Sequence, residues 1–194
     1  MKFRFSTSAD WLVATAILMT LAGCLNMEPS PDNTQFHVLN SATRGFNAPA
    51  EQRVVIRNVK LIDYLETGKV VQRTSPSSVR YLNDHWWAGQ LDEMIAHAVA
   101  ANLEASHSGV YATTGSSAQS GKVIDLNVMQ FELTHDGGAI VTLEYRVTEA
   151  GKGTISREGR VSQAWPATGQ STEDAIGSLQ ELLKLAVGQM DTGV

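Results

Sequence analysis

The 194-residue chain has a single cysteine, Cys24. One thiol cannot close an intrachain disulfide, and zinc sites built from two to four thiolates are excluded with it. Basic residues are not in excess: 15 Lys and Arg stand against 20 Asp and Glu, a net charge of −5. Nucleic-acid binding draws on cationic side chains that displace phosphate counterions, so this balance excludes a typical nucleic-acid partner. No apolar run reaches the roughly 20 residues of a spanning helix. The chain also lacks a Gly-x4-Gly-Lys-Ser/Thr phosphate loop, a His-Glu-x-x-His zinc motif and a Gly-x-Ser-x-Gly nucleophile elbow. Hydrophobic content of 43% is ordinary for a globular protein, and the length suits one domain with a tail.

What is present begins with the position of that cysteine. Lys2 and Arg4 form a basic start, Trp11 to Thr20 is an apolar run of signal-peptide length, and Leu21-Ala22-Gly23-Cys24 follows. Asp10 is the one departure, an acid just before the apolar run. The stretch resembles the bacterial lipoprotein signal, whose cysteine is linked to diacylglycerol, freed by cleavage and then acylated on its amine. Residues 1–23 are therefore expected to be a signal peptide and Cys24 the lipidation site. One acyl chain anchors only reversibly, whereas several on one residue hold a protein to a membrane durably. Leu25 follows the cysteine where aspartate would mark retention at the inner membrane. By that resemblance the protein faces the periplasm from the outer membrane. Cleavage removes Lys2, Arg4 and Asp10 and leaves 13 basic against 19 acidic side chains, −6 over 171 residues. A body so acidic has no basic surface for anionic headgroups, so the lipid on Cys24 must do the tethering; no other cofactor is expected.

Residues 24–33, with Pro29 and Pro31, read as an extended tether, and residues 34–194 as a single periplasmic domain. Gln35 to Leu39 alternates as a strand, and Arg53 to Val59 is a β-branched strand. Lys69 to Thr74 and Ser78 to Leu82 flank a Ser75-Pro76-Ser77 turn as a hairpin. Asn83 and Asp84 suit a helix N-cap, and Trp87, Leu91, Met94, Ile95, Ala98 and Val99 follow helical spacing behind them. Ser106 to Gly121 reads as a mobile loop with room for one short strand. Lys122 to Leu133 changes alternation phase, which a bulge near Val128-Met129 would absorb. His135-Asp-Gly-Gly138 is a turn, Ala139 to Val147 alternates, and Thr154 to Trp165 closes a meander. Ser171 caps a last helix whose stripe runs from Ala175 to Met190. The sum is an α+β fold: a mixed, largely antiparallel sheet with two amphipathic helices on one face.

Val70-Val-Gln-Arg-Thr74, the His85-Trp-Trp-Ala88 run, the segment Leu91 to Leu103, and Thr172-Glu-Asp-Ala175 through Ala186 are similar, in order, to the ABC-type transport auxiliary lipoproteins of the paraquat-inducible protein C type. Tyr64-Leu65 occupies the place of that family's Tyr-Leu pair, while Trp86 stands where arginine is usual. The resemblance covers nearly the whole mature chain. It implies a non-catalytic accessory subunit of an intermembrane lipid transport system, docking a periplasmic MCE-domain protein. It also allows a homo-oligomeric ring. It brings no catalytic residues.

The remaining candidates weigh less. Glu93 and His97, four apart, with His85 nearby, invite a metal reading, but a solvated helix face explains them equally. His135 and Asp136 fall in turn sequence. Gly109 and Ser116-Ser117 suggest a nucleophile loop without its motif. Of the adjacent tryptophans, Trp87 joins the apolar stripe, and on a helix Trp86 would point about 100° away. Trp86 is then the candidate partner contact, since aromatics are enriched at interfaces. A lipid-anchored hydrolase and a structural envelope lipoprotein unrelated to transport are the alternative functions.

Overall fold

The computed structural model describes residues 32–40, 52–116, 118, 120–167 and 171–194. The signal peptide, Cys24 and nearly all of the tether lie outside the described residues. Among the described residues, eight strands and two α-helices follow one another: β1 (Gln35–His37), β2 (Gln52–Leu61), β3 (Lys69–Ser75), β4 (Ser78–Trp87), α1 (Leu91–Ser106), β5 (Val110–Thr114), β6 (Lys122–Leu133), β7 (Ala139–Glu149), β8 (Ile155–Trp165) and α2 (Thr172–Gly188). A 3-10 turn, Asp63–Leu65, joins β2 to β3.

All eight strands belong to one mixed, mostly antiparallel sheet whose spine is β6. One edge of β6 pairs antiparallel with β7 over its full length, and β8 pairs with β7. The other edge is divided. β2 runs parallel along Lys122–Val128 and carries β5 on its far side. β3 meets β6 only at Gln72 opposite Leu133, and carries β4 and then β1.

The division coincides with a bulge. The ladder of β6 and β7 shifts between Val128 and Gln130, as the change of phase in the sequence predicts. The bulge lets Ile124, Leu126 and Val128 share the buried face with Phe131 and Leu133. At the same level the chain steps out of the sheet through the 3-10 turn. The Ile62 N–H donates to the Val128 carbonyl at 3.2 Å, and the Tyr64 hydroxyl donates to the Met129 carbonyl at 3.4 Å. Leu65 points into the core.

Both helices lie on one face, α1 against β2 and β5, α2 against β6, β7 and β8, and they touch each other. The stripe predicted for α2 is buried from Ala175 to Val187. Its start is a capping box: the Asp174 N–H donates to the Ser171 hydroxyl at 3.2 Å, and the Ser171 N–H to the Asp174 carboxylate at 3.3 Å. In β7, Val141, Leu143, Tyr145 and Val147 are buried, as their alternation predicts.

One expectation is corrected here. The first helix begins at Leu91, not behind Asn83-Asp84; β4 continues to Trp87, and Gln90 is the cap residue, without a side-chain capping bond. Asn83 and Asp84 have capping chemistry, but β1 and β3 claim this backbone as strand. The stretch 106–121 holds the one short strand for which the sequence left room. α1 runs to Ser106 and Val110–Thr114 pairs parallel with β2. Gly121 brings the chain back beside β2 at φ +92°; a Cβ there would lie 2.2 Å from the Arg53 carbonyl oxygen, so only glycine fits.

Candidate partner-docking surface

The side of the sheet away from the helices is polar over β2, β6, β7 and β8. Cross-strand neighbours there alternate in charge. Arg57 grips Asp125 through two guanidinium nitrogens, its Nε at 2.9 Å. Arg160 grips Glu144, its Nε at 3.1 Å, and Arg146 lies 3.7 Å from Glu158. The Arg160 hydrogen bond holds the Glu144 carboxyl below its ordinary range. An open groove of about 1320 Å³ runs over the middle of these strands, bounded at its end by the turn at Leu65–Gly68 and by Gly89–Asp92, where α1 begins. Asp125, Glu144 and Glu158 each face an arginine, which ties up these three carboxylates as ion pairs.

Beyond the bulge the same face closes over a buried charge. Glu132 is fully buried and accepts from Arg73 Nε at 2.6 Å and Nη2 at 3.2 Å, a two-point clasp. Gln130 Nε2 adds a bond at 3.3 Å, and the Thr142 hydroxyl donates to Gln130 at 2.8 Å. Arg73 also donates to the Tyr64 hydroxyl at 3.3 Å. Burial, with the Glu132 carboxylate next to it, pushes that hydroxyl up to about 12, so it keeps its proton. This clasp ties β3 to β6 where the backbone supplies one register pair. Its signal in the sequence is small: a lone glutamate among Phe131, Leu133 and their neighbours.

The tryptophans sit on β4, not on a helix, and therefore point to opposite faces. Trp87 is buried, its ring 5.6 Å from Phe131 and edge-on to His37 at 6.3 Å. Trp86 faces the other way and is partly exposed. Its register neighbours are Phe36 on β1 and Lys69 on β3. The Lys69 ammonium lies 4.8 Å from the indole centroid, and the indole N–H donates to the Asn83 carbonyl at 3.1 Å. Gly68, at φ +73°, a conformation that favours glycine, lies beside the ring.

His85 is brought to His37, not to Glu93 and His97. The two rings stack at 5.2 Å with a 3.0 Å contact between His37 Nε2 and His85 Nδ1. Burial first, then the facing His85, lowers the His37 pKa, against a smaller opposite pull from Glu173. Sequence reasoning missed this pair, because 48 residues separate its members. Glu93 and His97 are exposed on α1. Asp136 accepts from the Thr134 hydroxyl and from the Gly138 N–H at 3.4 Å, inside the turn expected of it. Ser116 lies in an exposed bend, and Ser117 is outside the described residues.

Comparison with known proteins agrees with this architecture. The model of the ABC-type transport auxiliary lipoprotein component matches residues 37–191. The chain is 25% identical over 184 residues to the intermembrane transport lipoprotein PqiC of Escherichia coli (strain K12), covering 90% of this chain and 98% of that protein. PqiC of Shigella flexneri is equally similar. Among solved structures, an uncharacterized protein superposes with a TM-score of 0.68 at 16% identity, over 79% of this chain and 94% of the other. Protein XCC0632 from Xanthomonas campestris does so at 0.65 and 12% identity, over 80% and 91%. At such identities these two speak for the fold alone.

Proposed function

From the premise that the chain belongs to the ABC-type transport auxiliary lipoproteins, we propose that it is an outer-membrane-anchored, periplasm-facing accessory subunit of an ABC/MCE-type intermembrane lipid transport system. The observation that carries the reading is the family match across residues 37–191, with PqiC aligned over 98% of its own length. Cys24 supplies the attachment through acyl chains. The folded body docks a periplasmic MCE-domain protein and performs no chemistry of its own. Two features of the molecule support docking over catalysis. Asp125, Glu144 and Glu158 in the groove are engaged by arginines, and the face they line is a ladder of alternating charge, which favours a specific, oriented partner.

The anchor is tested by feeding cells an alkyne-tagged fatty acid. Label enters the wild-type protein and is absent from Cys24→Ser; equal labelling of both would end the lipoprotein reading. Density separation of membranes then places the wild-type protein with the outer membrane. Recovery with the inner membrane would remove that part of the proposal. Affinity purification of the wild-type protein from solubilised envelopes should recover an MCE-domain protein, with less recovered by Glu144→Arg, which puts two cations side by side in the groove. If no MCE-domain protein is enriched over an unrelated lipoprotein, the transport partnership fails.

A further inference from the structure

The first strand wears its alternation inside out. His37 and Leu39 are packed against the body, while Phe36 and Val38 face solvent at 68% and 58% exposure. Among the described residues these are the two most exposed large apolar side chains. A single exposed apolar residue needs no explanation, but two at alternate positions, one on an edge strand and one just past its end, do. Phe36 is also in register with Trp86, and Lys69 lies over the far side of that indole. Phenyl, indole and ammonium in a row match the headgroup zone of a bilayer, where aromatic rings sit at the apolar boundary and cations reach phosphate.

We propose that Phe36, Val38 and Trp86, with Lys69 beside them, form a contact patch that seats the folded body on the phospholipid surface. The proposal rests on the lipid attachment at Cys24. Residues 25–35 are all that separate the anchor from Phe36. As a flexible coil such a segment spans about 20 Å, and fully extended less than about 40 Å. The patch is therefore held at high effective concentration next to the bilayer, where even a weak contact is occupied. A protein partner fits less well. A specific protein interface buries at least about 1,200 Å² in total, whereas this surface is a three-residue strand and one indole. The mature body carries −6, so the seating works by insertion of apolar groups, and salt should change it little.

The test uses the lipidated mature protein in phospholipid vesicles containing lipids brominated near the headgroup end of the acyl chains. Bromine quenches only nearby tryptophan, and the mature chain has three: Trp86, Trp87 and Trp165. Flotation of the protein with the vesicles reads the anchor independently. Fluorescence is expected to be quenched, the quenching to vanish in Trp86→Phe, and Phe36→Ser to at least halve it, in 0.1 M and 0.5 M salt alike. Val38→Ser, outside the β1–β4 ladder, is expected to act in the same direction and serves if Phe36→Ser unfolds. Flotation without quenching, or quenching that both serine variants leave intact, overturns the patch and leaves the anchor standing. Failure to float overturns both. Self-association in detergent that Phe36→Ser abolishes assigns the patch to a second copy and overturns contact with lipid.

Discussion

The sheet has two wings, one on each side of the fork in β6, held by different means. In the larger wing β7 and β8 follow β6 through long antiparallel ladders, β2 runs beside its first half, and both helices lie across them. In the smaller wing β3, β4 and β1 meet β6 at one register pair, Gln72 opposite Leu133. There side chains substitute for backbone: the Arg73–Glu132 clasp, Trp87 on Phe131, and Leu65 beneath the 3-10 turn. Where many contacts share the load, local opening costs nearly as much as global unfolding; where few do, a segment can open alone. The smaller wing carries exposed Phe36 and partly exposed Trp86. The less firmly held wing is the one that bears Phe36 and Trp86, and the groove is carried mainly by the other.

The largest effect is expected from the core of the larger wing. Leu143 is fully buried between sheet and helices, and Leu143→Ala should cost about 4 kcal/mol through lost transfer energy and a residual cavity. Denaturant melts should show one transition displaced as a whole, with both wings lost together. A separate early transition would mean that the larger wing does not hold the domain as one unit.

Next comes the clasp. Arg73→Met leaves Glu132 as a buried carboxylate without its cation, a cost of about 3 kcal/mol. Hydrogen exchange should rise first in β3 and β4 while β7 stays protected. The double change Arg73→Met with Glu132→Met should recover much of the loss, since a paired buried charge is replaced by apolar contact. Uniform loss of protection across both wings would contradict the idea that the clasp serves the smaller wing.

This division also explains what the sequence could reveal. The α2 cap and stripe, the β6 bulge and the β6–β7–β8 meander were legible because their determinants are local: Ser171 three residues before Asp174, a phase change at Val128-Met129, Asp136-Gly137-Gly138 between strands. The smaller wing was not. Asn83, Asp84 and the four-residue spacing of Trp87 and Leu91 give a consistent local helix signal. It is overruled by pairing with β1, nearly 50 residues earlier, and by Phe131, more than 40 later. Arg73 and Glu132 are 59 residues apart, and no periodicity joins them. For the candidate site, the aromatic pair marked Trp86 as worth attention. Its neighbours Phe36 and Lys69, and the stacking of His37 on His85, follow only from strand register.

Acidification probes the outermost strand of the smaller wing. The His37 pKa lies below its ordinary 6.5 in the folded protein, through burial and the facing His85. The unfolded chain thus binds this proton first. The stabilising contribution is complete above about 6.5 and is lost as pH falls through the folded value. Between pH 7 and 5, amides of β1 should lose protection while those of β7 change little. Replacing His85 by Gln should lessen the dependence and leave the larger part, which burial causes. If β1 protection is the same at both ends of this range, the histidine pair is no part of what holds the strand.

The smallest effect belongs to the far end of the larger wing, where the chain after α2 folds back. Lys122 Nζ holds the Thr192 carbonyl at 3.1 Å and also the Gly193 carbonyl, and the Asp191 N–H donates to the Tyr145 hydroxyl at 3.0 Å. Within this tail the Thr192 hydroxyl is buried and has no hydrogen-bond partner among the described residues. A buried hydroxyl left unpaired costs free energy that a methyl group of the same shape does not. Thr192→Val should therefore stabilise the domain by about 1 kcal/mol, a rise of some 2–4 °C in Tm for a chain of this size. Because the larger wing shares its load widely, the gain should appear as a uniform shift, with β1 exchanging as fast as before. Destabilisation by Thr192→Val would show instead that the hydroxyl has a partner in solution and that the tail is held by more than Lys122 and Tyr145.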